Sequence, residues 1–145
     1  MLTTPLEFFV GVIDPDAFIG SFPATSMTDG LTVDVYTYLL IPSNFQTLVS
    51  VDAIVIPNGT GNMRRSVDTT WGTIGTATYN NASDSIAASE VAVTINLLNS
   101  IDISAAFTGV SAGQLVGVKF TRAGGHADDT VGSTCYFMGV RLKYV

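Results

Sequence analysis

Hydrophobic and polar positions alternate along much of this chain, most clearly in its last third. In 115–122 the apolar Val116, Val118 and Phe120 interleave with Gly117, Lys119 and Thr121. In 134–145 Tyr136, Met138, Val140, Leu142 and Tyr144 interleave with Gly139, Arg141 and Lys143. A period of two predicts strands with one buried face. The polar segment GGHADDTVGS between them predicts a long antiparallel pair. Further strands are predicted over 6–13, 31–41, 48–56, 63–71, 73–79, 91–98 and 101–107. In 31–41 Leu31, Val33, Val35, Leu39 and Ile41 share one face, with Asp34, Tyr36 and Tyr38 on the other. The run 48–56 is denser in apolar residues, as expected of a central strand.

No segment keeps apolar residues at helical spacing over three turns, and the best helical candidate is the short Ala/Ser stretch 83–90. Turn chemistry punctuates the strands: DPD at 14–16, TDG at 28–30, PNGTGN at 57–62, NNASDS at 80–85, TGVSAG at 108–113 and GGHADD at 124–129. Pro42 and Pro57 close runs, where a missing N–H does least harm. About eight strands without intervening helices predict an all-β fold, a two-sheet antiparallel β-sandwich of jelly-roll type. The predicted core is Val33, Val35, Val51, Val55, Val93, Ile95, Val116, Val118, Phe120, Met138, Val140 and Leu142. The whole of 1–145 reads as a single domain. Residues 1–30 are expected to form an N-terminal strand and a long loop. That loop either covers an open end of the sandwich or serves as an interface arm.

Composition narrows the function. Apolar residues make up 47% of the chain and charged residues 12%, against roughly 25% charged in a typical soluble domain. Such a surface is expected to be hidden in part by self-association. The net charge is −6, and the only adjacent basic residues are Arg64 and Arg65. Binding to nucleic acid through phosphate neutralisation is therefore not expected. No run approaches the ~20 apolar residues of a membrane span, and MLTTPLEFFVGVID lacks the basic start of a signal peptide. The lone Cys135 forms no internal disulfide and reads as a small filler within the last strand.

Candidate chemistry is sparse. His126 is the only histidine, which leaves no two-histidine metal site and no backed triad. With Asp128 and Asp129 it forms a possible recognition loop over 124–130, weighed as a calcium loop and read as a solvated turn. Replacing any of the three by alanine is then expected to change stability by no more than about 0.5 kcal/mol. Asp14 and Asp16 read as a turn, not as a glycosidase carboxylate pair. No serine sits in G-x-S-x-G, and the glycines near residue 59 lack the Lys-Ser/Thr of a phosphate loop. Asn58 and Asn81 match the N-glycosylation pattern, which carries no weight without a secretion signal. Tyr36, Tyr38, Trp71 and Tyr79 remain as aromatic candidates, either for a subunit interface or for a sugar-stacking platform. No catalytic residue, metal or cofactor is expected, and recognition is expected to use loops at one end of the sandwich: 57–62, 80–85 and 124–130 are the candidates.

From Leu31 onward the chain resembles a family of jelly-roll domains that recur in tailed-phage and environmental viral sequences. The resemblance is carried by IPSNF at 41–45, IVIPNGTGNMRRSVDTTWG at 54–72, IDISAAFTGVSAGQLVGVKFTR at 101–122 and HADDTVGSTCYFMGVRLKYV at 126–145. It implies a non-enzymatic virion protein, made in the host cytoplasm and docked on a viral capsid or another virion protein. Capsid decoration, head-fibre and receptor-binding types are all represented. It also implies a homo-oligomer, most often a trimer, with a glycan as the partner of the receptor-binding type.

Overall fold

A computed structural model describes residues 4–145. Its ten strands are β1 (Leu6–Gly11), β2 (Ala17–Ile19), β3 (Phe22–Met27), β4 (Thr32–Leu40), β5 (Leu48–Pro57), β6 (Gly61–Thr73), β7 (Ala82–Val93), β8 (Asn99–Asp102), β9 (Gln114–Ala123) and β10 (Cys135–Tyr144). A single 3-10 turn, Ser104–Phe107, is the only helix among the described residues. One sheet has the order β2-β3-β10-β5-β8, with β1 also paired to β10; the other has the order β4-β9-β6-β7. All pairings are antiparallel. The eight strands from β3 to β10 thus divide as β3-β10-β5-β8 and β4-β9-β6-β7, the two four-stranded halves of a jelly roll. β1 and β2 are additions to that frame, which is why ten strands appear where about eight were expected.

β9 and β10 do not pair. β9 lies between β4 and β6, whereas β10 lies in the facing sheet. Alternation reports that each strand has one buried face; it does not report which strand is its neighbour. Both faces point into one core, and the segment between them crosses from sheet to sheet. The stretch 14–30 is likewise no loop. Residues 17–19 and 22–27 form the β2–β3 hairpin, and Phe137 at the start of β10 pairs with Thr25. These strands are too short, and too broken by Gly20 and Pro23, to show a period. The Ala/Ser stretch 83–90 is part of β7, where pairing with β6 overrides its helical propensity. Residues 73–79 are the β6–β7 connection beyond Thr73, and β7 ends at Val93.

The core between the sheets includes Val35, Leu39, Val51, Val55, Met63, Trp71, Phe107, Val116, Phe120, Phe137 and Leu142. Phe120 and Phe137 meet across it with ring centroids 5.2 Å apart. Of the predicted core residues, ten are buried, Val33 is half-buried and Ile95 is 44% exposed. Ile95 lies in the turn after β7, beside Asn96 at φ 64. The predicted single face of the last strand is broken by a bulge. Phe137 faces Val55 and Gly139 faces Ile54, so Met138 is the extra residue. The bulge puts Cys135, Phe137, Val140, Leu142 and Tyr144 in the main core. Met138 turns to the outside of the sheet, where it packs with Ala24 and Ile56.

Candidate functional site

The register of the second sheet assembles a trough on its outer face. Side chains of one strand alternate between faces, so the inward set Val35, Thr37 and Leu39 forces Tyr36 and Tyr38 outward. Tyr36 lies opposite Lys119 and Tyr38 opposite Gly117 on β9; beyond them on β6 stand Asp68 and Thr70. Two rows result, Tyr36–Lys119–Asp68 and Tyr38–Gly117–Thr70. Gly117 places no side chain in the second row, and the depression lies there. Tyr36 and Tyr38 are 60% and 55% exposed and stand about 7 Å apart along their strand. Two hollows of about 390 and 410 Å³ share Tyr38, Thr70 and Gly117. The first is flanked by Ile13; the second is walled by Ile74, Thr78 and Tyr79 of the β6–β7 connection. A Cβ at Gly72 would run into the carbonyl oxygen of Thr78, so glycine there lets that wall close onto the sheet.

The polar groups of the trough are held in place. Lys119 Nζ lies 3.3 Å from Asp68 Oδ2. The hydrogen bond to Asp68 holds the ammonium above the usual lysine value. The Thr121 hydroxyl donates to Asp34 Oδ1 at 2.6 Å. Exposed pairs of this kind add little stability; here they fix donors and acceptors beside the two rings. Apolar ring faces beside oriented carboxylate, ammonium and hydroxyl groups suit a ligand with both C–H faces and many hydroxyls.

The sequence candidates therefore separate. Tyr36 and Tyr38 share the trough, and Tyr79, 81% exposed, stands at its far wall. Trp71 is not part of any platform: it is 3% exposed and inward-facing on β6, one step out of phase with Thr70. Asp68, Thr70, Gly117 and Lys119 were missed as site residues. A glycine inside a strongly alternating strand was the available signal, since it marks either a bulge or a place where something approaches the backbone.

The loop 124–130 is also not what its composition suggests. Asp129 has a fully buried side chain and makes a two-pronged pair with Arg122, at 3.0 Å to Nε and 2.9 Å to Nη2. Arg122, itself 0% exposed, donates further to Met27 O, Ser133 O and Asp29. Burial pushes the Asp129 carboxyl up, but Arg122 and the amides of Arg64 and Val131 outweigh it and hold the group below the usual carboxylate range. Burial likewise pushes the nearby Cys135 thiol up to about 11. Asp129 is thus a structural clamp, not the surface-loop residue on which the expectation of a nearly neutral loss rested. His126 and Asp128 are exposed and, with Glu90, form the one trio among the described residues spaced to hold a cation. Arg64 already stands among them, 2.7 Å from Glu90 and 3.7 Å from Asp128. Loops 57–62 and 124–130 share one end of the sandwich through Thr130 N to Asn62 O. Loop 80–85 lies at the other end, where Trp71 pairs with Ala82.

No protein-family model matches the chain, and no curated protein does. Among solved structures it is similar to TmCBM61 in complex with beta-1,4-galactotriose. That match is 11% identical, covers 95% of this chain and 87% of the other, and has a TM-score of 0.39. A likeness this distant carries no argument about the ligand.

Proposed function

We propose that this chain is a glycan-binding module that works by recognition and not by catalysis, with the outer face of β4-β9-β6 as its site. The observation that carries the reading is the pairing of two exposed tyrosines on β4 with a side-chain-free floor at Gly117. Around them Asp34, Asp68, Thr70 and Lys119 offer hydrogen-bonding groups to hydroxyls. Stacking on the ring faces supplies affinity and the fixed polar groups supply orientation.

Within the virion role implied by the family resemblance, this reading is the receptor-binding type in preference to shell decoration. Recognition then uses a sheet face, not the sandwich-end loops expected from the sequence. A glycan array tests it with the wild-type chain and a Tyr36→Ala/Tyr38→Ala double variant. Hits that vanish in the folded double variant support the reading. An empty array, or hits unchanged by the two substitutions, refutes it.

A further inference from the structure

The shape and charge of the trough point to a narrower ligand class, and this step rests on the glycan-binding reading above. Three hollows lie in line along β4. A small one of about 160 Å³ between Asp14, Thr25, Asp34 and Tyr36 adjoins the hollow at Tyr36 and Tyr38, which adjoins the one at Tyr79. Neighbouring hollows share residues, Ile13 and Tyr36 at the first junction and Tyr38, Thr70 and Gly117 at the second. The line follows the strands from the Asp34–Thr121 row to the Leu40–Leu115 row. Six residues of strand make this about 20 Å long. From Tyr38 to Thr70 it spans two strand spacings, roughly 10 Å. That is a channel for a run of rings laid end to end, not a cup for one.

The charges along it are unequal. Asp14, Asp34 and Asp68 border the line, while Lys119 is its one cation and is already committed to Asp68. No arginine lines any of the three hollows. The chain around it carries a net charge of −6. A glycan bearing carboxylate or sulfate groups would place anions beside these carboxylates with no free cation to meet them. Uncharged hydroxyls suffer no such penalty, and a carboxylate accepts from two of them at once.

We infer that the trough takes an uncharged glycan chain of several sugar units, lying along β4, and discriminates against acidic polysaccharides. Gly117 is the best handle for the test. It sits at the middle of the line with no positive φ, and a Cβ there meets Thr70 at an ordinary 3.7 Å. Gly117→Val therefore fills the floor from a backbone conformation that a β-branched residue adopts readily.

The experiment is affinity electrophoresis through gels containing soluble polysaccharides in matched forms. Hydroxyethyl- and carboxymethyl-cellulose make one pair, galactan and polygalacturonate another, with neutral mannan and xylan added. The wild-type chain is expected to be retarded by at least one neutral polymer and not by its acidic counterpart, with retardation lost in Gly117→Val and Tyr38→Ala. Calorimetry with fragments of the retained polymer is then expected to show affinity rising at least about tenfold from the disaccharide to the tetrasaccharide. Retardation by acidic polymers only, abolished by the same substitutions, overturns the inference but leaves the trough as a glycan site. Equal affinity for one sugar and for four overturns the chain-length part in the same way. Retardation that survives both substitutions, or none in any gel, overturns the underlying reading as well.

Discussion

Arg122 and Asp129 are the two charges most completely removed from water, both with side chains 0% exposed. Removing one partner of a buried pair strands the other, at a cost of about 3–5 kcal/mol. Asp129→Ala is expected to lose that much in urea unfolding, while Asp128→Ala and His126→Ala stay within about 0.5 kcal/mol. Equal, small effects at all three positions would show that the pair is not the clamp it looks to be. The pH dependence has a definite sign. Asp129 is held below its unfolded value of about 3.9. Its contribution is therefore complete above that value and fades as the pH falls through the folded one. Asp129→Asn should accordingly lose less stability than wild type between about pH 5 and pH 2. Nothing in HADDT separated Asp129 from Asp128. Both fit turn chemistry, and only the three-dimensional position of Arg122, on the inward phase of β9 with Val116, Val118 and Phe120, distinguishes them.

Strand by strand, alternation was a faithful guide wherever one strand kept one face in the core. β4 and β9 were legible almost residue by residue, and with them the outward phase of Tyr36 and Tyr38. It failed where geometry changed phase or partner. β10 switches faces at Met138, and no residue type announces the bulge except the glycine that follows it. Gly139 has φ 144, and a Cβ there would strike the Val10 carbonyl of β1. That glycine sits at the opening of the stretch where β1 docks on β10. Gly139→Ala is expected to cost about 1–3 kcal/mol and to speed hydrogen exchange across Leu6–Gly11 more than elsewhere. Uniform or unchanged exchange in β1 would argue against that docking role. Strand pairing was not legible either. β9 and β10 are sequence neighbours of matching period, yet loop 124–134 carries the chain between sheets and is pinned by Arg122.

At the scale of the molecule, the low charge density predicts concealed surface, and the two outer faces differ in character. The face of β4-β9-β6 is a polar-rimmed trough. The opposite face, over β1, β3, β5 and β10, exposes Phe9, Phe22 and Leu98 around a hollow of about 470 Å³. Self-association remains the expectation from composition. Sedimentation at high concentration should show a species larger than the 15.2 kDa chain, with an interface of roughly 1,000 Å² or more; a monomer throughout would remove it. The fold class was legible from the strand count and the want of helices. The site was half legible, because periodicity exposes tyrosines on a strand but says nothing of which residues stand beside them on the next.

The central claim, that recognition occurs in the trough, is tested most directly by backbone amide chemical-shift mapping during titration with a neutral oligosaccharide retained by the chain. Shifts concentrated at Tyr36, Tyr38, Asp68, Thr70, Gly117 and Lys119 are the expected result. Shifts confined to loops 57–62 and 124–130, or to the face around Phe9, Phe22 and Leu98, with the trough silent, would contradict it.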